Sequence, residues 1–127
     1  MAHGIGAYLG NAWLNALGNN TSFAVAQVYV KLHVGDPGAA GTANPATETT
    51  RKAASFGVAS AGVLTSDDDV TWTNIAGSED ANHFTAWDSL TTGNFLFSGT
   101  ITANPYDAGD TYAIDAGNLT ASLTLAS

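Results

Sequence analysis

Five acids, Asp67, Asp68, Asp69, Glu79 and Asp80, form the densest group of oxygen ligands in the chain. Clustered carboxylates suit Ca²⁺, which takes about six to eight oxygens. Their spacing matches no EF-hand loop, and no glycine stands where such a loop turns. The run reads as a solvated turn that keeps strand ends apart and soluble. His3, His33 and His83 offer imidazole nitrogens for zinc. None belongs to an H-x-x-x-H or H-E-x-x-H pair, and His33 and His83 alternate with their neighbours as ordinary strand-face residues do. Phe97-Ser98-Gly99 lacks the G-x-S-x-G turn of a hydrolase nucleophile. The Gly-rich stretch from Gly35 to Gly41 has neither G-K-[S/T] nor a following helix, so it is no phosphate loop. Trp13, Trp72 and Trp87, with Tyr29, Tyr106 and Tyr112, have faces on which sugars stack, although scattered tryptophans more commonly serve a core. We expect no catalytic residue, no metal and no cofactor.

The elements that would carry these residues begin with a helix over residues 4–18. Ile5, Tyr8, Leu9, Ala12, Trp13, Ala16 and Leu17 recur at helical spacing as one apolar stripe. Gly18 stands where a left-handed C-cap belongs. The stripe (Ile5, Leu9, Trp13, Leu17) is expected to dock on the domain's own sheet or on a neighbouring subunit. Val28, Val30, Leu32 and Val34 then alternate with Tyr29, Lys31 and His33, the period of a strand with one face buried. Gly35-Asp36-Pro37-Gly38 stops that strand, and residues 35–50 read as an exposed loop. Short strands follow through Phe56 and Val58, through Val63-Leu64, and over Val70 to Ile75 with Val70, Trp72 and Asn74 on one face. Others cover His83 to Asp88 and Phe95 to Ile101, then Tyr112 with Ile114. Leu119, Ala121, Leu123 and Leu125 alternate to the end. Short strands separated by turns at 8 to 12 residues predict a mainly β fold, an antiparallel β-sandwich or barrel, preceded by the one amphipathic helix. The expected organisation is a single domain over 1–127, with the β-domain at 23–127.

Charged residues make up 11% of the chain, against about 25% usually. Gly, Ala, Thr, Ser and Asn take their place, giving a polar surface that is cheap to desolvate and suited to packing against other proteins. The net charge is −8, with Lys31, Arg51 and Lys52 as the entire cationic complement. Nucleic-acid binders need basic clusters and anionic lipid attracts them, so neither is an expected partner. The chain has no cysteine and therefore no disulfide. No apolar run approaches the ~20 residues of a membrane span, and Met1-Ala2-His3-Gly4 lacks the features of a signal peptide. Synthesis in a cytoplasm is expected.

The segment Leu32-His33-Val34-Gly35-Asp36-Pro37-Gly38, continued by Gly41-Thr42-Ala43-Asn44, resembles a family of small tailed-bacteriophage virion proteins, often labelled tail fibre or minor capsid proteins. The family's later motifs follow in order: Thr85-Ala86-Trp87-Asp88, Gly93-Asn94-Phe95-Leu96-Phe97-Ser98-Gly99, Ala108-Gly109-Asp110-Thr111, and Ala116-Gly117-Asn118-Leu119. The resemblance implies a virion protein made in the host cytoplasm, without catalysis, and commonly a homotrimer. On that basis we expect a capsid decoration or minor capsid protein, at the capsid surface, bound to the major capsid protein. Its contacts would be Ile5, Leu9, Trp13 and Leu17 on the helix, and Gly35, Asp36, Pro37, Gly38 and Asn44 on the loop. The alternative is a tail-associated or fibre-tip module that binds a host receptor through exposed aromatics such as Trp72, Trp87 or Tyr106.

Overall fold

A computed structural model describes residues 4–126. The alternating segment forms β1 (Val28–His33), the centre of an antiparallel sheet. It pairs on one side with β2 (Lys52–Ala54) and on the other with β5 (His83–Trp87), which pairs in turn with β6 (Phe95–Thr100). Residues 4–6 lie along the outer side of β6, where Gly6 N–H donates to the Leu96 carbonyl at 2.7 Å and Ser98 N–H to that of Gly4 at 2.8 Å. Two short antiparallel pairs complete the fold: β3 (Val63–Thr65) with β8 (Thr120–Ser122), and β4 (Val70–Trp72) with β7 (Tyr112–Ile114). The protein is mainly β and antiparallel, with one helix among the described residues, α1 (Ala7–Gly18), and no closed barrel.

The two pleat faces of the large sheet differ. Val30, Leu32, Phe84, Ala86 and Phe97 share one face by register. They belong to a core that also takes in Trp72, Tyr112 and Ile114 from β4 and β7, and Leu119 just before β8. Phe84 and Phe97 meet edge to face at 5.9 Å between ring centroids. The other face carries Tyr29, Lys31, His33, Thr85 and Ser98. His33, Thr85 and Ser98 are buried there too, so β5 and β6 are covered on both sides. Strict alternation predicted one dry and one wet face, and the covering of both is why it fails for these strands.

Several expected boundaries shift. The helix starts at Ala7, after an extended Gly6 with no side-chain cap. The left-handed residue after it is Asn20 (φ 52°), not Gly18, because Asn19 first closes the helix by donating its N–H to the Asn15 carbonyl. β1 ends at His33, since the next amide, that of Val34, turns to the Asn44 carbonyl at 2.9 Å. Phe56 makes a single bridge to Ser66, and Val58 is 98% exposed, so no strand passes through them. Asn74 (φ 50°) leaves the strand of Val70 and Trp72 and turns the chain. The closing alternation stops at Ser122, and Leu123 and Leu125 stand in solvent.

Candidate interaction surfaces

The loop after β1 is built from its own hydrogen bonds. The Asp36 carboxylate accepts from Gly38 N–H at 2.9 Å, and the Asn44 side-chain amide donates to the Asp36 carbonyl at 2.8 Å. Ala43 N–H donates to the Pro37 carbonyl at 2.9 Å. Gly41 has φ 74°, and a Cβ there would lie 2.5 Å from the Phe95 ring, so only glycine lets the loop close on β6. Pro37, Gly41 and Ala46 are buried in this connection, while Ala39, Ala40 and residues 42–45 reach solvent.

Beneath the loop runs a chain of polar groups. Trp87 Nε1–H donates to Thr85 Oγ1 at 2.7 Å. Thr85 Oγ1 lies 2.9 Å from His33 Nε2, and His33 Nδ1 lies 2.8 Å from the Ala43 carbonyl. A carbonyl only accepts, so Nδ1 carries the proton, and in the neutral ring Nε2 accepts from the Thr85 hydroxyl. Burial holds the His33 pKa below the usual imidazole range; the Ala43 hydrogen bond opposes this and the nearby Lys31 charge adds to it. His33 is therefore a structural pin between sheet and loop. At the neighbouring corner, the Arg51 guanidinium lies 4.2 Å from the centre of the Trp87 ring and donates to the Ser89 and Thr92 carbonyls at 2.8 and 2.6 Å.

The acids also serve the fold. The Asp69 carboxylate accepts from Ala116 N–H at 2.8 Å and that of Glu48 from Ala76 N–H at 3.0 Å. Glu79 accepts from the Thr47 hydroxyl and from the phenol of Tyr106. Among the described residues no group of three or more His, Cys, Asp or Glu side chains is placed to hold a metal ion, and His3 lies outside them. The aromatics considered for receptor stacking are interior: Trp72, Trp87 and Tyr106 are 1%, 8% and 6% exposed. Each polar ring atom has an internal partner, Thr50 for Trp72, Thr85 for Trp87 and Glu79 for Tyr106. They form no exposed aromatic pocket.

The helix stripe is split along its length. Ile5 bridges Phe97 and packs against the core, and Leu9 is buried. Trp13 is at the rim, and Leu17 is 85% exposed. The loop residues Gly35, Asp36, Pro37, Gly38 and Asn44 come together among themselves, on the His33 side of the sheet. The stripe instead meets Phe97, on the opposite pleat. Between α1, β3 and β8 lies an apolar groove of about 190 Å³, lined by Leu9, Trp13, Leu64, Phe97, Ala121 and Leu123. Periodicity marked Leu9 and Trp13. It did not mark Leu64 and Leu123 as their partners, because that pairing depends on β3 meeting β8 across 54 residues of intervening chain. A second, polar cleft of about 400 Å³ lies by Asn104, Asp115 and Asn118.

A search of curated proteins found no match. A family model, described as podophage GP4 fiber I protein gp80, matches residues 4–122. That span takes in the helix, both faces of the large sheet and both short strand pairs, so the chain belongs to the podophage GP4 fiber I protein gp80 family, a family of structural fibre proteins of the virion.

Proposed function

We propose that this protein is a non-catalytic building block of a tail-associated fibre, packed among other virion subunits and copies of itself. The match of the fibre family along residues 4–122 carries the reading. The surface chemistry supports it. Few charges need desolvating when subunits pack, and Glu48, Asp69, Glu79 and the buried histidine are engaged in holding turns and loops. Burial of Trp72, Trp87 and Tyr106 favours a packing role over stacking of a receptor glycan on those rings. A place on the capsid shell, against the major capsid protein, is the competing reading.

Cryo-electron microscopy of the source virion tests the proposal. Density for this fold within a fibre or its attachment to the tail is the expected result. Density repeated over the capsid lattice would overturn it in favour of a cement.

A further inference from the structure

The polar cleft of about 400 Å³ runs between two lengths of backbone, 101–104 on one wall and 112–115 on the other. Successive residues of a strand point to opposite faces. Lining by consecutive residues therefore means that the cleft borders the edge of β7 and not one of its faces. β7 pairs with β4 on one side only. A strand with a single neighbour turns unpaired N–H and C=O groups to its other side, and natural edges are commonly guarded by a lysine or a proline. Tyr112, Ala113 and Ile114 include neither. Across the cleft, Thr102, Ala103 and Asn104 make no hydrogen bond to another described residue. The outer edge of β6 is finished differently, since residues 4–6 lie along it and close it with backbone hydrogen bonds. Among the described residues no segment does this for β7.

What completes such an edge is a further strand. An extended peptide repeats its donors and acceptors at the spacing of β7 and can follow it over its whole length of about 10 Å. The side chains around the cleft add a preference of charge. The Asp115 carboxylate is exposed and has no partner among the described residues, and Asn104 and Asn118 beside it are neutral. A basic side chain on the incoming strand pairs with Asp115, whereas an acidic one is repelled. That requirement rules out a second copy of this chain as the source. Its three cations are Lys31 within β1, Lys52 within β2, and Arg51, which is held against Trp87 and the Ser89 and Thr92 carbonyls. All three are built into the large sheet or its corner, so a basic strand has to come from another protein.

We infer that an extended, basic segment of another virion protein adds to β7 in this cleft as the third strand of the β4–β7 sheet, with Asp115 meeting its cation. The inference deepens the packing role proposed above and rests on it, but its readout is separate from the density that locates the protein in the virion. An array of overlapping short peptides covering every other protein of the source virion, probed with purified full-length protein, tests it. Peptides that bind are then titrated into isotope-labelled protein and followed by nuclear magnetic resonance. At least one peptide carrying lysine or arginine should bind and shift the amides of 102–104 and 112–115. N-methylation of its alternate backbone nitrogens on the side facing β7 should weaken binding at least about tenfold, because side chains and charge remain and only ladder hydrogen bonds are lost. Asp115→Asn should weaken it about two- to fivefold at low salt and less at high salt, as the loss of one exposed ion pair does. The carboxylate has no partner in the free protein, so this variant should melt as the wild type does. An array with no bound peptide, binding that survives N-methylation in either alternate set, or shifts centred outside 101–118 would overturn the inference. So would a cleft that responds to neutral oligosaccharides and to no peptide.

Discussion

Two sides of the molecule are finished in opposite ways. On the His33 side, the 35–46 connection covers the sheet, and each nitrogen of the buried ring network has a partner within 2.9 Å. On the α1–β3–β8 side, an uncharged groove is open and Leu14, Leu17, Leu123 and Leu125 stand in solvent. The first side spends its polar groups on its own loop. The second has almost nothing polar to satisfy, which suits a surface completed by a neighbour. Damage to the first should therefore be read in the stability of the single chain, and damage to the second in assembly.

The largest effect is expected at His33. His33→Ala removes a fully buried ring and strips Thr85 and the Ala43 carbonyl of their partner, costing about 3 kcal/mol in a denaturant titration. Arg51→Ala should cost about 2 kcal/mol, since two charge-assisted hydrogen bonds and the contact with Trp87 are lost at a partly exposed site.

Acid should loosen the same side more gently. The folded-state pKa of His33 lies below the ordinary 6.5, so the unfolded chain takes up the proton first. This contribution is fully present above about pH 6.5 and is lost as pH falls toward the folded-state value. Melting temperatures across that window should fall for the wild type and show a shallower dependence in His33→Ala.

Smaller effects sharpen the contrast from the other side. Ala61 (φ 52°) and Gly62 (φ 78°) form the two-residue turn between Ser60 and Val63, at the mouth of the groove. Ala61→Asn supplies a residue that tolerates this backbone and should stabilise by about 0.5–1 kcal/mol in thermal unfolding. Leu17→Ser should change monomer stability by less than about 0.5 kcal/mol, because the side chain is exposed there.

Much of this contrast can be traced to particular residues. The alternation of Val28, Val30 and Leu32 was enough to place β1, and Val70 with Trp72 was enough for β4. The rest depended on long-range pairing. His33 looks like a surface position by its place in the alternation, and it is buried because Ala43, ten residues on, folds back over it. Gly41 looks like a flexible loop residue, whereas its reason is the Phe95 ring more than fifty positions away. Residue type alone favours the core for Trp72 and Trp87, whereas the groups that satisfy their ring N–H and the Tyr106 phenol, Thr50, Thr85 and Glu79, are set by the fold. The helix stripe was legible as a stripe. Its division into a docked half and a bare half was not, because the sequence does not show where the sheet ends beneath it.

Amide hydrogen exchange of wild-type protein beside Leu17→Glu tests the contrast most directly. The wild type should gain protection in 7–18, 59–65 and 120–123, while the amides of 35–46 exchange equally slowly in both proteins. Equal exchange everywhere, or a gain centred on 35–46, would contradict it.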